Sequence, residues 1–189
     1  NILINPESLR VQLFDLILSS LLPQERISWP PIDALDGDLG YIAPEQTGRM
    51  NRKVDYRSDF YSLGVIFYEL LTGQQPFQGD DKQTTIHNHI ALHPVPLIKV
   101  RPDVPEGLSR VIDKLLAKEA DDRYQSILGI HFDLEKVVRN WQQGQNEAFT
   151  LGQKDTSASL NLPQHLYGRE QDISALQKLC QRAIYGKPQ

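Results

Sequence analysis

The sequence predicts a mainly α fold, with a small β-hairpin at its N-terminal end, a linker after the helices and a terminal helix. Three observations carry that reading. From Ser58 to Gly73, apolar or aromatic residues stand at 60, 61, 63, 65 to 68, 70 and 71. That is too many for one amphipathic stripe, so the segment reads as a helix enclosed on most sides and as the post of the domain. Leu108, Val111, Ile112, Leu115 and Leu116 recur at the spacing of one helix face, and Ile127, Ile130, Leu134, Val137, Val138 and Trp141 mark another. Only the N-terminal segment has the look of strand.

The totals bound the answer. A chain of 189 residues holds one domain with a real core plus an appendage, and two complete domains would be a squeeze. Hydrophobic content of 40%, charged content of 23% and a net charge of -4 describe a globular protein without bias toward nucleic acid or an anionic membrane. The single cysteine, Cys180, excludes an internal disulfide, and no apolar run reaches the length of a membrane span. A cytoplasmic setting is the expectation. The chain opens on Asn and an apolar strand, without a charged-then-apolar leader, and reads as a piece of a longer polypeptide.

In chain order, Asn1-Ile-Leu-Ile-Asn5 and Val11-Gln-Leu-Phe14 are β-prone runs joined by the turn-forming Pro6-Glu-Ser-Leu-Arg10. Residues 18–39 carry Pro23, Pro30, Pro31 and Gly37 without helical period and read as loop. Ser58 is a good N-cap for the central helix. Gly73 sits where a left-handed C-terminal residue is wanted, and Pro76 follows. Asp59 in the first turn is favoured by the helix dipole, but it borders a nearly uncharged segment and so needs a fixed partner. Asp80 to Leu92 is a polar helix with Ile86 and Ile90 on its inner face. His89 and His93 stand at i and i+4 there, yet without a third ligand they read, like His87, as solvent-facing. Pro102, Pro105 and Gly107 precede the next helix.

Gly40-Tyr-Ile-Ala-Pro-Glu45, followed by Tyr56-Arg-Ser-Asp59-Phe-Tyr-Ser-Leu-Gly64-Val, resembles the A-P-E motif and central helix of the protein kinase C-terminal lobe. The fuller string, Glu45-Gln-Thr-Gly-Arg-Met-Asn-Arg52 to Thr72-Gly-Gln-Gln-Pro-Phe77, is similar to the serine/threonine-kinase-like domain of large bacterial multi-domain signalling proteins. In those proteins a P-loop ATPase domain follows the kinase domain. The resemblance implies a kinase-like C-terminal lobe over residues 1–142, with ATP and Mg2+ as cofactors of the intact domain. Asn1 would match the last residue of H-R-D-x-x-x-x-N and Asp15 the D of D-F-G, both as magnesium ligands, with the catalytic base upstream of Asn1. Asp38 and Tyr41 would lie in the activation segment. Asp59 would cap the backbone before the catalytic aspartate, and Arg123, in Ala117-Lys-Glu-Ala-Asp-Asp-Arg123, would form a buried ion pair with Glu45.

Two departures bear on catalysis. Asp15-Leu16-Ile17 stands where D-F-G is usual, so a β-branched residue replaces the hinge glycine, and Asp38 stands where a threonine hydroxyl is usual. Two functions follow: phosphoryl transfer to protein hydroxyls, or a pseudokinase-like regulatory module. The partners would be a protein substrate or downstream signalling domains, with no nucleic acid and no membrane. Residues 143–162 are polar and aperiodic, as a linker is. Residues 163–189, with Leu166-Tyr-Gly-Arg-Glu170 and Ile173, Leu176, Cys180, Ala183 and Ile184 behind it, resemble the start of the P-loop ATPase domain. They contain no G-x-x-x-x-G-K-[ST].

Overall fold

The computed structural model describes residues 2–14, 38–50, 52–145 and 149–156. These residues are mostly helical, with one two-stranded antiparallel sheet. Strands β1 (Ile2–Ile4) and β2 (Val11–Leu13) pair Ile2 with Leu13 and Ile4 with Val11. Their turn is closed by the Asn5 side-chain carbonyl, which accepts from the amides of Glu7 and Ser8, while Leu9 takes a positive φ of 53°.

Five α-helices follow: α1 (Arg57–Thr72), α2 (Lys82–Ala91), the single turn α3 (Leu97–Val100), α4 (Glu106–Leu115) and α5 (Ile127–Gln142). Helix α1 is the post, because only Asp59 and Leu70 of its residues are exposed. It ends on Gly73 at φ 75°, the left-handed conformation that costs glycine nothing. Its start differs from the expectation. Arg57 opens the helix and its amide is held by the Asp55 carboxylate, whereas Ser58 is buried one residue inside and serves Glu45 instead of capping.

Helix α4 divides the core. Its Ile112 and the Leu116 that follows it join Ala43, Tyr61, Val65, Tyr68, Phe77, Leu97 and Val104, while its Val111 and Leu115 join Tyr124, Ile130 and Val137. Helices α1 and α4 approach closely at Gly64, where a Cβ would stand 2.8 Å from Leu115 Cβ. The inner face of α5 is Gly129, Ile130, Asp133 and Val137 with Leu134 beside them. Ile127, Val138 and Trp141, which the spacing grouped with them, are exposed.

Two further expectations need correction. His89 is fully buried, although His87 and His93 are exposed, because its ring finds a hydroxyl partner on α1. Within the segment read as linker, residues 149–156 lie against α4 and α5, with Phe149 and Leu151 packed on the second core cluster. The loop 15–37, most of the predicted linker's remainder and the tail 163–189 lie outside the described residues. Among the described residues no helix is long and apolar enough to cross a membrane.

Candidate functional site

The site grows from the segment Leu39–Thr47, two 3₁₀ turns laid against α1. Asp38 starts the first, its carboxylate accepting from the Gly40 amide at 2.9 Å. Tyr41 is fixed at both ends: its hydroxyl donates to Glu69 Oε2 at 2.6 Å and its carbonyl accepts from Ser62 Oγ at 2.8 Å. The hydrogen bond to Glu69 is the main cause that raises the Tyr41 phenol above its ordinary value. Pro44 opens the second turn and places Glu45 in its interior, 2% exposed.

Glu45 meets Arg123 in a two-pronged pair, Nη1 to Oε1 at 2.7 Å and Nη2 to Oε2 at 2.8 Å. Ser58 Oγ donates to Oε1 at 2.6 Å. The remaining donors of Arg123 go to main-chain carbonyls: Nη1 to Arg57, Nη2 to Lys118 and Nε to Ala117. All five N–H groups therefore have acceptors, and the guanidinium Cζ lies 4.9 Å from the Tyr61 ring centroid. Burial by itself would raise the Glu45 carboxyl. The hydrogen bonds and charge of Arg123, with the Ser58 hydroxyl, outweigh it and hold the pKa below the usual value.

A second network lies one turn away. Arg57 Nε and Nη2 grip Asp55, and its Nη1 bonds both Asp121 Oδ1 at 2.7 Å and Gln125 Oε1 at 2.8 Å. Gln125 Nε2 donates to the carbonyls of Ala120, Asp121 and Arg123, which ties this network to the first. A third group is buried between α1 and α2. Tyr61 O–H lies 3.0 Å from His89 Nδ1, and Lys118 Nζ donates to the His89 carbonyl at 2.7 Å while standing 3.8 Å from the Phe77 ring centroid. Burial, then the Lys118 charge, pushes His89 down to about 4, with the Gly40 backbone opposing. Burial, then the Arg123 charge, pushes Lys118 down to about 7. Among the described residues His89 Nε2 has no hydrogen-bond partner.

Of the residues singled out in the sequence, Glu45 and Arg123 are brought together, and Asp38 and Tyr41 lie on the same segment as Glu45. Asp59 is exposed in the first turn of α1 and is engaged in an interaction. Asn1 and Asp15 lie outside the described residues. Sequence reasoning missed Arg57, Gln125, Lys118 and His89. Arg57 and Asp55 at i and i−2 gave a weak signal, while the other partners come from distant segments.

The family of protein kinase domains matches residues 1–131. The chain belongs to that family. Among its relatives, serine/threonine-protein kinase PknB of Mycolicibacterium smegmatis is 36% identical over 137 residues, which are 72% of this chain and 21% of the relative. Hybrid signal transduction histidine kinase G of Dictyostelium discoideum is 53% identical over 95 residues, 50% of this chain and 3% of the relative. Peroxide stress-activated histidine kinase mak3 of Schizosaccharomyces pombe is 36% identical over 145 residues, 76% of this chain and 6% of the relative. The chain thus spans only a small part of each of these relatives. Protein kinases generally use ATP and Mg2+. Among the described residues no group of three or more His, Cys, Asp or Glu could hold a metal ion.

Proposed function

We propose that residues 1–142 are the C-terminal lobe of a serine/threonine protein kinase domain, which transfers the γ-phosphoryl of ATP to protein hydroxyls in signal transduction. The observation that carries this reading is the buried Glu45–Arg123 pair, which ties the Gly40–Glu45 segment to the base of the helical body over 78 residues of sequence. With Tyr41 anchored on α1 through Glu69, that segment is a rigid shelf on which a substrate segment would be laid. In this reading Asn1 and Asp15 are the magnesium ligands, Asp59 holds the loop that bears the catalytic base, and that base lies upstream of Asn1. The partners are a protein substrate or downstream signalling domains in a cytoplasmic, multi-domain polypeptide, with residues 163–189 beginning a P-loop ATPase domain. The relatives named as hybrid and stress-activated histidine kinases support a signalling context.

One observation favours a pseudokinase-like regulatory module as the second reading. The Asp38 carboxylate is used locally on the Gly40 amide, at the position where a threonine hydroxyl would serve the catalytic aspartate. The test is a phosphate-transfer assay with Mg-ATP on the 189-residue chain and on a polypeptide extended upstream. Transfer by the extended polypeptide alone is expected. Transfer by the short chain refutes the placement of the catalytic groups, and a folded extended polypeptide without transfer favours the regulatory module.

A further inference from the structure

Residues 149–156 are held on α4 and α5 by side chains that otherwise have no common task. Phe149 lies beneath Lys136 Nζ, 4.5 Å from its ring centroid, and its carbonyl accepts from Arg110 Nη1 at 2.9 Å. Leu151 rests on the cluster of Val111, Tyr124 and Ile130. Gly152, at φ 74°, donates its amide to Asp133 Oδ2 at 2.7 Å, the same oxygen that takes the Tyr124 hydroxyl. Asp155 then reaches the start of α5. Both of its oxygens accept from the Gln125 amide at 2.9 Å, and Ser126 Oγ donates to Oδ1 at 3.0 Å. A carboxylate is favoured at that helix end.

The receiving face carries two glycines, each in the first turn of a helix. A Cβ on Gly107 of α4 would come within 3.1 Å of Phe149 Cε1, and one on Gly129 of α5 would come within 2.5 Å of Asp155 Oδ1. Each glycine leaves room for one anchor of the segment. None of residues 149–156 is fully buried, so the segment is an outer layer on a core that closes beneath it. Its last anchor is nonetheless one residue from the site's wiring. Gln125, whose amide Asp155 holds, bonds Arg57 through its side chain and accepts from the Tyr56 hydroxyl through its carbonyl.

We propose that this face of α4 and α5 is a regulatory docking site and that residues 149–156 are its releasable latch, which acts on the Arg57–Gln125 and Glu45–Arg123 networks. Seated, the latch fixes the Gln125 backbone and so the geometry in which Gln125 receives Arg57. Withdrawn, it frees Gln125 and loosens the segment 119–126 that carries Arg123. The device goes beyond the kinase reading and holds whether or not the domain transfers phosphate.

The experiment is amide hydrogen exchange on the full 189-residue chain, read at Gly152, Gln125 and Arg57, for the parent, Gly129→Ala, Asp155→Ala and the double variant. Each single variant is expected to speed exchange at Gly152 and Gln125 by about tenfold or more, with a smaller rise at Arg57. In the double variant the added methyl still stands 2.7 Å from the Cβ that Asp155→Ala keeps, so exchange at Gly152 should be at least as fast as in Gly129→Ala alone. Slower α5 exchange on Gly129→Ala in the parent background, with Gly152 unchanged, would overturn the docking. Faster exchange at Gly152 with Arg57 unchanged would overturn the coupling. If Gly129→Ala fails to fold, Phe149→Ala, which leaves both helix backbones intact, is read at the same amides with the same criteria.

Discussion

Replacing Arg123 with methionine removes the charge from the centre of the site and keeps most of the side-chain length. The parent residue donates two charge-assisted bonds to Glu45 and three to the carbonyls of Arg57, Ala117 and Lys118. The variant leaves the 2% exposed Glu45 carboxylate without its ionic partner, with the Ser58 hydroxyl and a backbone amide to hold it. Breaking one side of such a pair costs about 3 to 5 kcal/mol. The carboxylate left behind can take up a proton, whereas the guanidinium stranded by Glu45→Gln cannot lose one. That difference fixes the sign of the pH dependence. In the parent, the Glu45 pKa lies below its unfolded value, so its contribution is full above the carboxylate range and is lost only as pH falls through the folded pKa. In Arg123→Met, burial without the partner raises it, so the contribution is full at acid pH and is lost as pH rises through the raised pKa. Denaturant unfolding followed by far-ultraviolet circular dichroism between about pH 5 and 7 separates the two variants. The deficit of Arg123→Met against the parent grows with pH, and that of Glu45→Gln stays flat. Equal, flat deficits below about 1 kcal/mol, the value of an exposed pair, would refute the reasoning.

Two other outcomes are expected. His89 is buried neutral with its pKa pushed down to about 4, so the unfolded chain binds the extra proton first. Stability is then full above about pH 6.5 and falls by up to about 3 kcal/mol as pH drops toward 4. Unfolding midpoints across that window should be flatter for His89→Gln. Gly64→Ala should lower stability by about 1 to 3 kcal/mol despite the better helix propensity of alanine, because its methyl meets Leu115 Cβ at 2.8 Å, and a gain measured by thermal unfolding would contradict the close α1–α4 approach.

What the sequence could express is periodicity and punctuation. The hairpin, the enclosed central helix, the Gly73 terminus and the apolar face of α4 were all legible because each is written in local spacing. Glu45 and Arg123 were legible only through the resemblance, since nothing local links residues so far apart. His89 was misread for a physical reason. Helical spacing put Ile86 and Ile90 inward, but the face that is buried runs through Ile86 and His89, and the imidazole is tolerated there only because Tyr61 O–H comes from another helix. Ser58 has the chemistry of a cap and is used as a donor to Glu45 instead. The linker reading rested on polar composition, and two apolar anchors at 149 and 151 are too few to make a period. The signals were a glycine early in α5 and an acid able to reach it, and neither means anything until the two are in contact.

The hairpin has a consequence for how firmly its own pairing is specified. In a sheet with one buried face, a one-residue slip turns the apolar set outward and is resisted by the core. Here Leu3, Ile4, Val11 and Leu13 are exposed on both faces, so among the described residues no such resistance operates within β1 and β2. The alignment of Ile4 with Val11 is instead dictated by the turn: the Asn5 side chain clasping Glu7 and Ser8, the Asn5 amide reaching the Arg10 carbonyl, and Leu9 held in a left-handed conformation that leucine seldom adopts. One asparagine therefore sets the phase of the whole ladder, and with it which side chains each face of the ribbon presents.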